Sequence, residues 1–171
     1  MKRRILIIDD DPVVREAISR VLEGVGYDVV ESPDGNETTV RSVLEEIDLV
    51  LLDLNLPRRS GWEVYERLRT QVPLIPVVII TGMPNQNQTA QAAGASALME
   101  KPIDVSALLQ TVDELLVKAE RAHHHGGSGY YAAKRHRRRP KSKTGSTVGG
   151  GVPTPSLVGW AVRWRRAYGK T

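Results

Sequence analysis

The stretch Asp48 to Pro57, DLVLLDLNLP, constrains the fold of this chain more than any other. Leu49, Val50, Leu51 and Leu52 are consecutive branched apolar residues with no polar alternation. Such a run suits a strand buried on both faces, as in a parallel sheet covered by helices on each side. The run ends in a carboxylate, Asp53, and the turn-forming Pro57 and Gly61 follow soon after. Open α/β sheets bind their ligands at the carboxyl ends of their strands. For a lone Asp, a helix cap or a solvated loop acid is the commoner reading, so the case for Asp53 depends on what else ends there.

Similar segments recur along the chain. Arg4 to Ile8 reads as a first buried strand ending in Asp9-Asp10-Asp11, and Pro12 suits the first turn of a helix capped by Asp11. Val14, Ala17, Ile18, Val21, Leu22 and Val25 give that helix an apolar stripe, and Gly24 and Gly26 end it. Tyr27 to Val30 is predicted as a second strand. Thr38 to Glu46 is predicted as a second helix, carrying Val40, Val43, Leu44 and Ile47. After the central strand, Ser60 caps a helix running to about Gln71, with Val64, Tyr65 and Leu68 inward. Val77 to Ile80 is a fourth strand ending in Thr81-Gly82. Pro84 to Ala93 is a polar helix with only alanines to bury. Ala95 to Met99 is a short fifth strand before Glu100-Lys101-Pro102. A last helix, capped by Asp104, runs from about Val105 to Ala119 with Val105, Leu108, Leu109, Val112, Leu115 and Leu116 on one face. Five strands alternating with five helices predict an α/β fold, a parallel sheet with helices on both faces, over about 120 residues.

Parallel strands bring their C-terminal ends to one edge, so Asp9, Asp10, Asp53, Thr81 and Lys101 are expected to converge. Carboxylates this close repel one another and call for a cation. An oxygen-only donor set suits Mg²⁺ rather than zinc. With the metal bound, Asp53 can act as a nucleophile toward phosphorus, forming an acyl phosphate. Lys101 would balance charge on the transferred group, and the Thr81 hydroxyl would donate a hydrogen bond to it. Gly82 leaves room for the phosphate. Taken singly, each residue has a plainer role as cap, strand end or solvated charge; their joint occurrence is what favours the site.

The blocks Ile5 to Pro12, Asp48 to Pro57 with Ser60-Gly61, Val77 to Gly82 and Glu100-Lys101-Pro102 resemble, in order and spacing, the receiver domains of two-component response regulators. The resemblance covers residues 1 to about 120. It implies a doubly wound, flavodoxin-like sheet of strand order 2-1-3-4-5. It also implies that Asp53 is the phosphoacceptor, Asp9 and Asp10 the acid pair, Thr81 the switch hydroxyl and Lys101 the phosphate partner. The same resemblance implies a Mg²⁺ site of Asp9, Asp10, Asp53 and the Asn55 backbone carbonyl, and a cis Lys101–Pro102 bond. Receivers often carry an aromatic residue three places before the lysine, whose inward swing follows the switch hydroxyl; this chain has Leu98 there.

Charge divides the chain. Residues 1–120 hold 12 Lys and Arg against all 20 Asp and Glu, a net of −8, whereas residues 121–171 hold 12 Lys and Arg and no acid. An acidic folded domain, 1–120, followed by a basic tail, 121–171, is expected, the tail predicted to be disordered for want of apolar periodicity. His123-His124-His125 fits a linker better than a metal site. The basic run 134–143 and the Trp/Arg-rich segment 160–166 are candidates for nucleic-acid contact; the same pattern also fits an anionic membrane surface or an extension that binds nothing. There are no cysteines, no signal-peptide core and no apolar run long enough to span a membrane, so a cytoplasmic location is expected. Two functions follow. One is a phosphorelay receiver that takes phosphate from a histidine kinase or phosphotransfer protein and switches a protein-interaction surface. The alternative is a regulator whose tail binds nucleic acid. An enzyme acting on a separate substrate is disfavoured, because the nucleophile is the protein's own aspartate.

Overall fold

A computed structural model describes residues 2–36, 40, 43–58 and 60–126, the last four of these by backbone alone. Readings made for residue 127 onward therefore lie outside the described residues. The strands are β1 (Arg4–Ile8), β2 (Asp28–Ser32), β3 (Leu49–Asp53), β4 (Val77–Thr81) and β5 (Ala97–Glu100). They form one sheet of order β2-β1-β3-β4-β5, with every neighbouring pair parallel. The α-helices are α1 (Pro12–Gly24), α2 (Gly61–Gln71), α3 (Asn87–Ala93) and α4 (Val105–Gly126).

The three central strands behave as their composition requires. Leu49 to Asp53 and Val77 to Thr81 are buried along their whole length, as are Ile5 to Ile8. Each fully buried Leu, Ile or Val contributes about 1.5–3 kcal/mol through its removal from water. Helix α1 starts where Asp11 accepts hydrogen bonds from the N–H groups of Val13 and Val14, with Pro12 in the first turn. It buries Ile18 and Leu22, whereas Val25 lies past the helix end at the C-cap and is exposed. In α4 the buried positions Leu108, Val112 and Leu116 recur every four residues, and Ile103 joins them under the sheet.

Several boundaries differ from the sequence expectation. The second predicted helix is represented by helical backbone at Val40 and Val43 and a 3₁₀ turn, Leu44–Glu46; residues 37–39, 41 and 42 lie outside the described set. Helix α3 begins at Asn87 instead of Pro84, because Asn85 takes a left-handed backbone (φ 60°). The fifth strand starts at Ala97 and not Ala95, since Gly94 is left-handed (φ 77°) and Ser96 caps the neighbouring strand through Oγ to Val77 N at 3.2 Å. Helix α4 continues to Gly126 instead of ending near Ala119. Arg3, next to β1, pairs with Glu120 near the end of this helix.

Gly61 is required by close packing. A Cβ there would lie 2.3 Å from the Leu54 Cα and 2.6 Å from the Asp53 carbonyl oxygen, both backbone atoms of the central strand and its exit. Replacing it must push α2 away from β3. We expect Gly61→Ala to cost about 1–3 kcal/mol, the usual penalty of overpacking, seen as a lower midpoint in urea unfolding with an unchanged slope.

Candidate functional site

The ends of β1, β3, β4 and β5 meet at one edge of the sheet. Asp9 directly follows β1, Asp53 ends β3, Thr81 ends β4 and Lys101 follows β5. Asp9, Asp53 and Thr81 are 1, 3 and 0 % exposed, so two carboxylates are withdrawn from water. The Lys101 ammonium donates to both, to Asp9 Oδ2 at 2.9 Å and to Asp53 Oδ2 at 2.5 Å. Its backbone N–H is bonded to the Thr81 carbonyl at 2.9 Å, which fixes where the side chain starts. The Lys101–Pro102 peptide is cis.

The remaining carboxylate oxygens are held by the loops they begin. Asp9 Oδ1 accepts from Asp11 N at 2.9 Å, and Asp53 Oδ1 accepts from Asn55 N at 2.9 Å. Asp10 is exposed. One ligand atom from each of Asp9, Asp10 and Asp53 falls within 4.8 Å of the others, the one such acidic, His or Cys group among the described residues. Three carboxylates against one ammonium leave two negative charges in excess, and all the donors are oxygen. This set fits a hard divalent cation that retains water, and Mg²⁺ matches best.

Burial pushes the Asp9 carboxyl above its ordinary 3.8, and the hydrogen bond and charge of Lys101 only partly offset this. Burial alone would lower the Lys101 pKa, but its bonds to Asp53 and Asp9 outweigh that and raise it above 10.5.

The predicted side chains of Asp9, Asp10, Asp53 and Lys101 are thus at one edge, with Thr81 buried at the end of the neighbouring strand; Asn55, expected to act through its backbone carbonyl, follows two residues after Asp53 and donates its N–H to it. A Cβ on Gly82 would meet nothing within 4 Å, so packing makes no demand for glycine there. Leu98 is half-buried in β5, paired with Ile79. Two contacts were not legible beforehand. Arg15 on α1 donates to the Asp9 carbonyl at 2.7 Å while pairing with Glu31 at 3.1 Å, so it steadies the turn carrying the acid pair. Met83 N donates to Thr81 Oγ1 at 3.0 Å, anchoring the loop after β4 to the hydroxyl. The only prior signal for Arg15 was its place one turn into α1; what it reaches is set by the packing of α1 on the β1–β2 edge.

Residues 5–113 match the response regulator receiver domain family. The chain belongs to that family, the receiver modules of two-component phosphorelay signalling. It is 38% identical over 122 residues to the DNA-binding dual master transcriptional regulator RpaA of Synechocystis, covering 69% of this chain and 51% of that protein. It is 31% identical over 124 residues to the alkaline phosphatase synthesis transcriptional regulatory protein PhoP of Bacillus subtilis, covering 71% and 52%. The chain thus spans about half the length of these curated relatives. Among solved structures, it is similar to a CheY-like receiver domain protein from Methanospirillum hungatei (28% identity, TM-score 0.65, 71% of this chain and 98% of that one). It is also similar to the response regulator TrrA of Thermotoga maritima, solved in complex with Mg²⁺ and BeF (26% identity, TM-score 0.60, 66% and 98%).

The raised Asp9 pKa has a stability consequence. The folded state binds this proton more tightly than the unfolded chain does, so the stability it contributes is present below pH 3.8 and is lost as pH rises through the folded value. Without divalent cations, Asp9→Asn is expected to be more stable than wild type at neutral pH and to lack the gain in stability that Asp9 gives wild type as the pH falls through its folded value. Unfolding midpoints measured from pH 3 to 8 in chelator check both.

Proposed function

We propose that this chain is a phosphorelay receiver in which Asp53 accepts a phosphoryl group from a histidine kinase or phosphotransfer protein. The observation that carries this reading is the Lys101 ammonium bridging the two buried carboxylates, Asp9 and Asp53. An Asp53 carboxylate oxygen attacks phosphorus, a P–O bond forms, the P–N bond to the donor imidazole breaks, and the imidazole takes a proton as it leaves. Lys101 stays beside the oxygen it already contacts and balances the charge brought by the phosphoryl group. Thr81, whose hydroxyl accepts from Met83 N and still has its own hydrogen to give, donates to a phosphoryl oxygen. Asp9, Asp10, Asp53 and the Asn55 carbonyl would hold Mg²⁺, which when bound supplies charge neutralisation at the phosphoryl oxygens. The chain acts on its own aspartate, with self-phosphorylation from a small phosphodonor and self-dephosphorylation as its only reactions. In this reading the receiver comprises residues 1–120, and the basic segment 121–171 follows it; the response so switched is contact with a protein partner.

Full-length protein incubated with acetyl phosphate and Mg²⁺ should gain the mass of one phosphoryl group. Asp53→Asn, or chelation of the metal, should reduce the gain to background. Equal labelling of wild type and Asp53→Asn would place the phosphoryl group elsewhere.

A second reading, nucleic-acid binding through the tail, has its own support. Residues 134–143 carry seven Lys and Arg, the tail has no acid, and Trp160 and Trp164 alternate with arginine. The relative RpaA is described as DNA-binding. If all seven cations meet phosphates, log affinity for duplex DNA should fall against log salt with a slope of about −6. Replacing them with Gln in the full-length chain should flatten the slope and abolish binding at physiological salt, measured by fluorescence anisotropy.

A further inference from the structure

Helix α3 lies between the strand carrying Thr81 and the strand leading to Lys101, yet little apolar surface holds it. Of its seven residues only Ala90 is buried, five are exposed, and no side chain caps its N-terminus. A helix this short is marginal by itself. Among the described residues, two side-chain hydrogen bonds from another element reach it, and both come from α2. Trp62 Nε1 donates to the Oε1 of Gln86, the N-cap residue, at 3.4 Å, and Tyr65 Oη donates to the carbonyl of Ala93, the last residue, at 3.0 Å. The two rings, one turn apart on α2, pack edge to face with centroids 5.7 Å apart. Tyr65 is fully buried, so its anchor is rigid. The Gln86 amide is oriented on its other side, where Nε2 donates to the Pro84 carbonyl at 3.2 Å.

The opposite end of the same loop is tied to the candidate switch hydroxyl, through Met83 N to Thr81 Oγ1. Residues 82–86 are therefore strung between Thr81 and Trp62. We propose that Trp62 and Gln86 form a latch that positions the start of α3, and that the latch responds when Thr81 engages a phosphoryl group on Asp53. This rests on the reading of Asp53 as phosphoacceptor. Movement of the Thr81 hydroxyl draws Met83 with it, and over a loop of five residues the displacement falls on the weaker anchor, the 3.4 Å bond. Tyr65 keeps the far end of α3 in place, so the helix pivots at Ala93. The route runs through α2 and not through β5, where Leu98 has no ring to swing. Trp62 and Gln86 are positioning residues here, with no part in the chemistry.

The test follows the Trp62 indole N–H by ¹H–¹⁵N NMR in full-length protein, with the Trp160 and Trp164 signals separated by comparison with Trp62→Phe. Mg²⁺ with beryllofluoride serves as the acyl phosphate mimic, and mass gain from acetyl phosphate is recorded on the same samples. In wild type the Trp62 signal should shift on adding the mimic. In Gln86→Ala it should sit at one position in both states, and the start of α3 should exchange its amide hydrogens about two- to tenfold faster, the factor carried by one net hydrogen bond. Gln86→Glu, whose carboxylate still accepts from Nε1, should restore the shift, which a loss of packing alone would not allow. If Asp53 gains phosphoryl mass and the indole signal stays still, or if Gln86→Ala shifts as wild type does, the latch is refuted and the phosphoacceptor reading stands. If Asp53 gains nothing, both fall.

Discussion

The site depends on one arrangement, a single ammonium shared by two carboxylates at the edge of a hydrophobic sheet. Asp9 and Asp53 are almost fully withdrawn from water, and two buried carboxylates so close would destabilise the fold without a cation. Lys101 supplies one positive charge and leaves the cluster short of neutrality. The fold thus stores a local excess of negative charge that a divalent ion can relieve.

The rest of the structure keeps that arrangement in register. Parallel pairing of β1, β3 and β4 aligns Ile8, Leu52 and Ile79 side by side, which brings the residues after them to one level. The Lys101 N–H bond to the Thr81 carbonyl sets the lysine opposite the carboxylates. Gly61 lets the start of α2 lie against the Asp53 carbonyl, and Arg15 braces the Asp9 carbonyl from α1. Each of these contacts acts on backbone, so the site is rigid in its strands. By contrast, the loop after Thr81 and helix α3 bury little and are held mainly by polar anchors. Rigid chemistry beside a loosely held helix is the division of labour expected of a module that converts a local charge change into a surface change.

Much of this was legible from residue order. Runs of branched apolar residues marked the buried strands, and Asp11-Pro12 marked the start of α1, because these signals act over a few residues. Boundaries governed by a single backbone conformation were less so. Asn85 and Gly94 enter the left-handed region, the first delaying the start of α3 and the second the start of the strand that follows it. Val25 has the spacing of a buried residue but falls past the helix end and faces water. The run of α4 past Ala119 could not be read from its apolar stripe, since Arg3 and Glu120 pair between residues far apart in sequence.

The sequence by itself determined the fold class, the strand order implied by its family blocks, and which polar residues end the strands. Hydrophobic patterning is local, and parallel strands have only one edge at which to place their C-termini. What tertiary structure alone decided is how those residues meet: that Lys101 bridges both carboxylates, that Arg15 reaches back to Asp9, and that Trp62 and Tyr65 hang α3 from α2. These contacts join residues from separate elements. Their distances follow from how helices settle on the sheet, a property of the packed molecule that no local pattern encodes.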